Sequence, residues 1–289
     1  MLCRLLPAGK KLFLVNNQIF YKIFYFFFHF DFLFLHISYQ YIYVRKIIFE
    51  VRQFALNLFR LLYVFISGGE SCAVCGKTVF IKPVCSSCMA KHYSLKQLLE
   101  VDRCECCGSQ LIGVKGKCTK CREKPVLLST DTVIPLFSYR LWNKEIMFRW
   151  KMQGERSFSA MFAKLLAQAL RIMGETVLVP VPPRKGKIRK NGWDQIDELS
   201  SFLAKRYGFK VLKLLERNTS EQQKKLSRTE RLEHIKNAYS LKTYIKSLPE
   251  TVCLIDDVCT TGSTIESCAS ILKAAGVAKV NVVTLFIVD

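Results

Sequence analysis

The sequence predicts an α/β protein whose main part is a parallel sheet flanked by helices, preceded by a small zinc-ribbon-like module of the four-cysteine type. Three observations carry this. Between Thr132 and Val288 apolar runs alternate with amphipathic helical patterns, the order that gives parallel strands with helices on both faces. Four Cys-x-x-Cys pairs lie between Cys72 and Cys121. The apolar run Val252–Ile255 ends in Asp256 and Asp257, then in the loop Thr260-Thr261-Gly262-Ser263-Thr264, then in a helical pattern. The 289 residues divide into an aromatic leader (1–52), a helix plus zinc-binding module (53–125) and the α/β part (126–289).

The leader is unlike the rest. Residues 1–66 hold 13 of the 21 Phe and 6 of the 11 Tyr, with Asp31 and Glu50 as their acids. Three readings stand for it. Its Phe, Tyr, Ile, Lys and Asn without helical or strand period suit translated upstream sequence and a mis-assigned start, with the genuine start near Val44 or Val51; this is the preferred reading. Residues 22–45 are long enough for a membrane anchor, although a central Asp31 costs about 2.5–3.5 kcal/mol on insertion scales. A packed segment is the third. From residue 53 to Ile66 the apolar spacing is helical.

The four pairs, Cys72/Cys75, Cys85/Cys88, Cys104/Cys107 and Cys118/Cys121, are matched in spacing as structural zinc sites are, which predicts two Zn²⁺ ions. Whether the pairs combine sequentially or interleave stays open, as do disulfides and an iron–sulfur cluster as weaker competitors. No secretory cleavage pattern is visible, so the expected compartment is the reducing cytoplasm, with membrane association if the anchor is genuine. Cys106 falls between ligands as a spare thiol, and Cys253, Cys259 and Cys268 read as packing residues.

In the α/β part, strands are predicted at Thr132–Tyr139, Val177–Val181, Val211–Leu215, Val252–Ile255 and Val280–Val288, and helices at Lys144–Lys151, Phe158–Met173 and Asp194–Tyr207. A continuous apolar strand such as Val252–Ile255 is central and delivers ligands at its C-terminal edge. There Asp256 and Asp257 can accept hydrogen bonds from a vicinal diol. The hydroxyls of Thr260, Thr261, Ser263 and Thr264, the freedom of Gly262 and the free N–H groups of a helix start make a cradle for a phosphate monoester. A diol beside a phosphate describes a ribose 5-phosphate. A Walker-type nucleotide loop is excluded, because it needs Gly-Lys before the hydroxyl.

The stretch Thr251–Thr264 resembles the signature of the type I phosphoribosyltransferases, which bind phosphoribosyl pyrophosphate (PRPP). Two further stretches, Val179–Gln195 and Gln223–Tyr239, and the double-Cys layout are similar to the ComF family of bacterial competence-associated proteins over about residues 54–289. The resemblance implies a phosphoribosyltransferase-like fold, PRPP with Mg²⁺ as ligand, Asp256 and Asp257 as the catalytic pair, and a link to DNA uptake through single-stranded DNA or a competence-machinery protein. Where the family has Arg-Gly-Phe-Asn-Gln, this chain has Asn191-Gly192-Trp193-Asp194-Gln195, and His234 stands where Asn is common. Arg184, Lys185 and Lys187, with Arg189 and Lys190, would face the pyrophosphate if their loop folds over it, or form a solvated basic loop. Gln223, Arg228 and Arg231 lie on a lid-like segment. Purine-salvage relatives carry an acid at the position of Thr260, which a threonine cannot replace, so purine salvage is not expected.

Charge fits either class of function. Lys+Arg 44 against Asp+Glu 23 gives +21, which favours polyanionic partners or describes a generally basic surface. One class is a pentosyl transferase acting on an acceptor; the other is a non-catalytic PRPP sensor that binds DNA.

Overall fold

The computed structural model describes residues 68–80, 82–95, 101–183, 193–218, 238–243 and 247–288, together with helical positions between 47 and 66. The aromatic stretch 22–45, the basic residues Arg184, Lys185, Lys187, Arg189 and Lys190, and Gln223, Arg228, Arg231 and His234 lie outside the described residues. Among the described residues no helix is long and apolar enough to cross a membrane.

The cysteine region contributes β1 (Glu70–Ser71), β2 (Thr78–Val79), α1 (Ser86–His92) and α2 (Thr119–Glu123). There follow β3 (Thr132–Ser138), α3 (Trp142–Lys151), α4 (Ser157–Ile172), β4 (Val177–Pro180), α5 (Gln195–Lys205), β5 (Lys210–Val211), β6 (Leu215–Arg217), β7 (Tyr239–Leu241), β8 (Thr251–Cys259), α6 (Ser263–Ala274) and β9 (Lys279–Ile287). Five strands form one parallel sheet in the order β3-β9-β8-β4-β5. The two longest strands, β8 and β9, are also the two most enclosed. They are built from runs such as Val252–Ile255 and Val282–Ile287 that can be apolar on both sides because both faces of the sheet are covered.

One face packs on α3, α4 and α5, where Trp150, Phe158, Phe162, Leu166 and Leu199 meet Ile255, Val283 and Leu285. Phe162 stands edge-on to Trp150 at 4.8 Å and to Phe286 at 5.7 Å, arrangements favoured by the ring quadrupole. Buried polar groups on this face are joined in a chain. Trp150 Nε1 donates to Ser159 Oγ (2.8 Å), Ser159 Oγ donates to Glu198 Oε2 (2.6 Å), and Arg156 pairs with Glu198, so α3, α4 and α5 share one satisfied network. The opposite face packs on α6 and on the antiparallel pair β6–β7, where Ile265, Cys268 and Leu272 meet Val252, Leu254, Val280 and Val282.

The cysteine region straddles the sheet's β3 edge. Its first half, with Cys72, Val84, Cys88 and Tyr93, joins the α3–α5 core, and its second half, with Cys104, Cys106, Cys121 and Leu127, joins the α6 core. The approach to the edge strand is close. Arg103 Nη1 donates to the carbonyls of Gly108 (2.9 Å) and Pro135 (3.0 Å). A Cβ on Gly108, whose φ is +72°, would lie 2.0 Å from the Val133 carbonyl oxygen, so only glycine fits there. Pro135, which has no N–H to give, sits in an edge strand as expected.

Two expectations change. Val211–Leu215 is not one strand. The chain turns at Leu212–Leu214, with Leu214 N–H bonded to the Leu212 carbonyl at 3.0 Å, and serves two sheets. Val211 packs on the α5 side while Leu214 and Leu215 enter the opposite core, so a run with one apolar character supplies two faces. β8 in turn does not stop at Ile255; its ladder with β9 continues to Cys259↔Ile287 and carries both acids within the strand.

After α2 the chain returns to β3 through a segment clasped by α6. Glu266, in the helix's first turn, accepts from the N–H groups of Leu128 (2.8 Å) and Ser129 (3.0 Å) and from Ser129 Oγ (2.7 Å). Glu266→Ala removes a charged acceptor from three donors that lie near solvent, and is expected to lower unfolding stability by about 1–2 kcal/mol. Denaturant unfolding followed by circular dichroism measures it, and a loss within error of zero would show the clasp to be dispensable.

Candidate functional site

The site sits at the C-terminal edge of the sheet, where β8 carries Asp256 and Asp257 and hands over to α6 through Thr260–Gly262. In a pleated strand adjacent side chains point to opposite faces, so the two acids diverge from one backbone. Asp257 N–H bonds to Asp256 Oδ1 at 2.8 Å, and Asp257 Oδ2 is 2.7 Å from Lys151 Nζ. Burial first, and the neighbouring Asp257 second, push the Asp256 carboxyl up to about 8.

The loop that follows has the form expected of an anion cradle. Gly262 adopts φ +78° and caps α6, and a Cβ there would meet the Leu127 side chain at 3.1 Å. Thr261 Oγ1 and Ser263 Oγ lie 3.0 Å apart, and Ser263 N–H reaches Thr261 Oγ1 at 3.4 Å. Thr260 and Thr261 are exposed while Ser263 and Thr264 are half-buried, which leaves the hydroxyls open to a ligand. The first-turn N–H groups of Thr264 and Ile265 have no acceptor within the helix, by the construction of any α-helix. α6 begins at Ser263, so Thr260, Thr261 and Gly262 precede it and Ser263 and Thr264 form its first turn.

Two residues outside the signature border this loop. Tyr239 of β7 lies beside Thr264; burial raises its phenol, against a lowering by Arg217 and by Thr264. Arg217 of β6 stacks on it, with the guanidinium carbon 5.2 Å from the ring centroid. The paired strands β6–β7 therefore form one wall of the cradle, a wall that sequence spacing does not mark. Lys151 is likewise, in the sequence, only the end of a helix, and no local pattern connects it with Asp257.

The strand β4 reaches the same edge beside β8, with Val181 N–H on the Ile255 carbonyl at 3.1 Å, and the basic loop departs after Pro183. It returns at Trp193–Gln195, where Asp194 accepts from Ile196 N–H (3.0 Å) and Asp197 N–H (3.1 Å) as the N-cap of α5. Asn and Asp cap equally well, so Asp194, where the pattern this stretch resembles has Asn, preserves the helix start.

The eight paired cysteines assemble sequentially, Cys72/Cys75/Cys85/Cys88 and Cys104/Cys107/Cys118/Cys121, with the ligand atoms of each set within 4.8 Å of one another. Cys75 and Cys85, and Cys107 and Cys118, have sulfurs 3.8 Å apart. That is the edge of a tetrahedron with bonds of about 2.3 Å, the zinc–thiolate length; it is far beyond a disulfide of about 2.05 Å. Backbone N–H groups of Cys85 and Cys118 point at Cys72 Sγ and Cys104 Sγ, each at 3.3 Å. Burial opposes ionisation of Cys72 and Cys104, but backbone donors outweigh it and bring each down to about 6. Burial and the neighbouring sulfurs push Cys88 up to about 12 and Cys121 strongly upward, so four thiolates need a cation between them. Both sets could hold a zinc ion.

No family model matches the chain. It is 28% identical over 210 residues to Competence protein F of Haemophilus influenzae, covering 69% of this chain and 88% of that protein. It is 29% identical over 153 residues to Competence protein ComFC of Streptococcus pneumoniae, covering 52% of this chain and 66% of that protein.

The proton on Asp256 has a measurable consequence. A carboxyl lifted from 3.8 to about 8 on folding binds its proton more tightly in the folded state. Stability therefore falls as pH rises between those two values and levels off above them. Asp256→Asn removes this dependence, so the ligand-free variant should gain thermal stability over the native chain progressively from pH 5 to pH 8. A melting-temperature difference constant across that range would mean that Asp256 is ionised throughout.

Proposed function

Proceeding from the ComF family assignment that these two relatives support, we propose that the chain is a PRPP-binding, phosphoribosyltransferase-like protein. The observation that carries this is the placement of the two acids and the hydroxyl–glycine cradle on one sheet edge, at the junction of β8 and α6. Asp256 and Asp257 hold the ribose diol. The hydroxyls of Thr260, Thr261, Ser263 and Thr264 and the N–H groups at the start of α6 hold the 5-phosphate, with Gly262 letting the backbone approach. Arg184, Lys185 and Lys187 belong to the diphosphate side, since their loop leaves and re-enters at this edge.

Mg²⁺ suits the oxygen donors of this acid pair and would neutralise diphosphate charge when bound with PRPP. The chain's own part in pentosyl transfer is to orient the anomeric carbon toward an acceptor and to set the Asp257 carboxylate, joined by that of Asp256 where a bound cation would displace its proton, beside the positive charge that develops on the ring as diphosphate departs. Thr260 cannot take a proton at neutral pH, so an acceptor that needs a base from that position is not served. The relatives' names attach them to competence, and for this chain we extend the reading to a cytoplasmic role in DNA uptake, with single-stranded DNA or a protein of the uptake machinery as partner.

The acid pair is tested by titrating Mg²⁺-PRPP into the full chain and into the Asp256→Asn, Asp257→Asn double variant. Each lost charged hydrogen bond is worth about 1.5–3 kcal/mol, so a loss of at least tenfold in affinity is expected with the fold retained. Unchanged affinity would falsify the assignment. Release of pyrophosphate in the presence of mixed amine and base acceptors then separates transferase from sensor.

The two cysteine sets are assigned to Zn²⁺, whose role here is structural: it ties the hairpin β1–β2 to α1, and the segment around Gly108 to α2. Protein purified without chelator should contain two zinc ions by elemental analysis. Cys107→Ser should lower that number, whereas Cys106→Ser should not, because the Cys106 thiol is directed at the Leu127 carbonyl at 3.5 Å. Iron, or no metal, overturns the assignment.

A further inference from the structure

We propose that Lys151 is a ligand-binding residue of this site, holding Asp257 in the ligand-free protein and passing its ammonium to the diphosphate of the incoming sugar phosphate. The inference rests on the PRPP reading and adds to it a cation that no signature motif contains.

The backbone at Lys151 is fixed, while its side chain extends from the helix end and is partly exposed. Ile146, Met147 and Trp150 of α3 are buried in the core, and Arg149 is clamped to Glu155 by two bonds of 2.9 and 2.7 Å just beyond the helix end. The Lys151 carbonyl accepts from Gln195 Nε2 at 3.4 Å, on the segment where the basic loop returns to the sheet. From this fixed point the lysine reaches across to Asp257 Oδ2 at 2.7 Å, with its side chain 31% exposed and that of Asp257 15% exposed. A lysine at a helix C-terminus would ordinarily stay by its own carbonyls. This one neutralises the acid of another element.

Its position sets what it does. On one side is the acid pair assigned to the ribose diol; on the other is the return of the loop assigned to the diphosphate. A diol that takes Asp257 Oδ2 does so as the lysine loosens its hold on that oxygen, and the diphosphate that arrives with it offers several anionic oxygens. The lysine end of the pair is partly exposed, so water and incoming anionic oxygens can take the place of Asp257 at the ammonium. Lysine suits the exchange, being a point charge on a flexible stem with three donors.

The test is calorimetric titration of the full chain, native and Lys151→Met, with Mg²⁺-PRPP and separately with ribose 5-phosphate, which lacks the diphosphate. The expected result is a loss of about tenfold or more for PRPP with less than about threefold for ribose 5-phosphate, and a shallower salt dependence for PRPP. Lys151→Arg, which keeps the charge, should recover part of the PRPP affinity, and the same comparison made with Lys151→Gln decides the matter if the Met variant does not fold. Equal loss for both ligands, or no loss for either, overturns the inference while leaving the site reading intact. Native protein that binds neither ligand overturns the site reading first, and this inference with it.

Discussion

The enclosure of β8 is the constraint on which the site depends. It pairs in parallel with β9 on one side and β4 on the other, so its direction and register are fixed by ladders from both neighbours. Parallel strands bring their C-terminal ends to one edge, and the chain can leave that edge only by way of a helix or a loop. Asp256, Asp257, the Thr260–Gly262 turn, the start of α6 and the departure of the basic loop after β4 consequently share one rim. Asp256 opposite Thr284 in the register shows how tightly this is set: slipping β8 by one residue would exchange the faces of both acids.

The cysteine region serves the same edge from a distance. A parallel sheet ending in β3 presents an unpaired strand, which folded proteins cover or blunt. Here the covering reaches into both cores at once, with Cys72 and Cys88 on the α3–α5 side and Cys104 and Cys121 on the α6 side. Leu127, just past the second set, packs against Gly262 of the cradle, and Glu266 holds the next two residues. The second cysteine set is thereby linked mechanically to the loop proposed to hold phosphate. A metal held by that set would thus have a physical route to the loop's affinity for a ligand without any contact with the ligand.

Much of this is legible in the sequence where the information is local. The Cys-x-x-Cys spacing, the apolar run before Asp256 and the residues of the cradle each announce themselves within a dozen positions, and the structure puts the acids and the cradle side by side. What escapes is carried by partners distant in the chain. The sequential combination of the cysteine pairs depends on which turn each knuckle makes. The β6–β7 wall is invisible to pattern because Leu215–Arg217 and Tyr239–Leu241 are three residues each, too short for a period. Lys151 is unremarkable at the end of an amphipathic helix, and its meaning comes only from Asp257.

The charge arrangement at the rim runs against what folding alone would select. In a chain of net charge +21, two adjacent carboxylates are placed at a half-buried strand end, a third acid, Asp194, adds to their field, and the proton on Asp256 is held up to about 8. A sheet edge built for stability would place hydroxyls or amides there, which bury with a smaller desolvation cost. Gly262 adds a second local conflict, a left-handed residue wedged against Leu127 at the helix start, where Ser or Asp would cap better. Conflicts between local preference and placement concentrate where a fold serves a ligand. Here both lie within seven residues of one strand–helix junction, Asp256 to Gly262, which is where the polyhydroxylated, phosphorylated ligand we propose would offer hydroxyl donors to the acids and an anion to the free N–H groups at the start of α6.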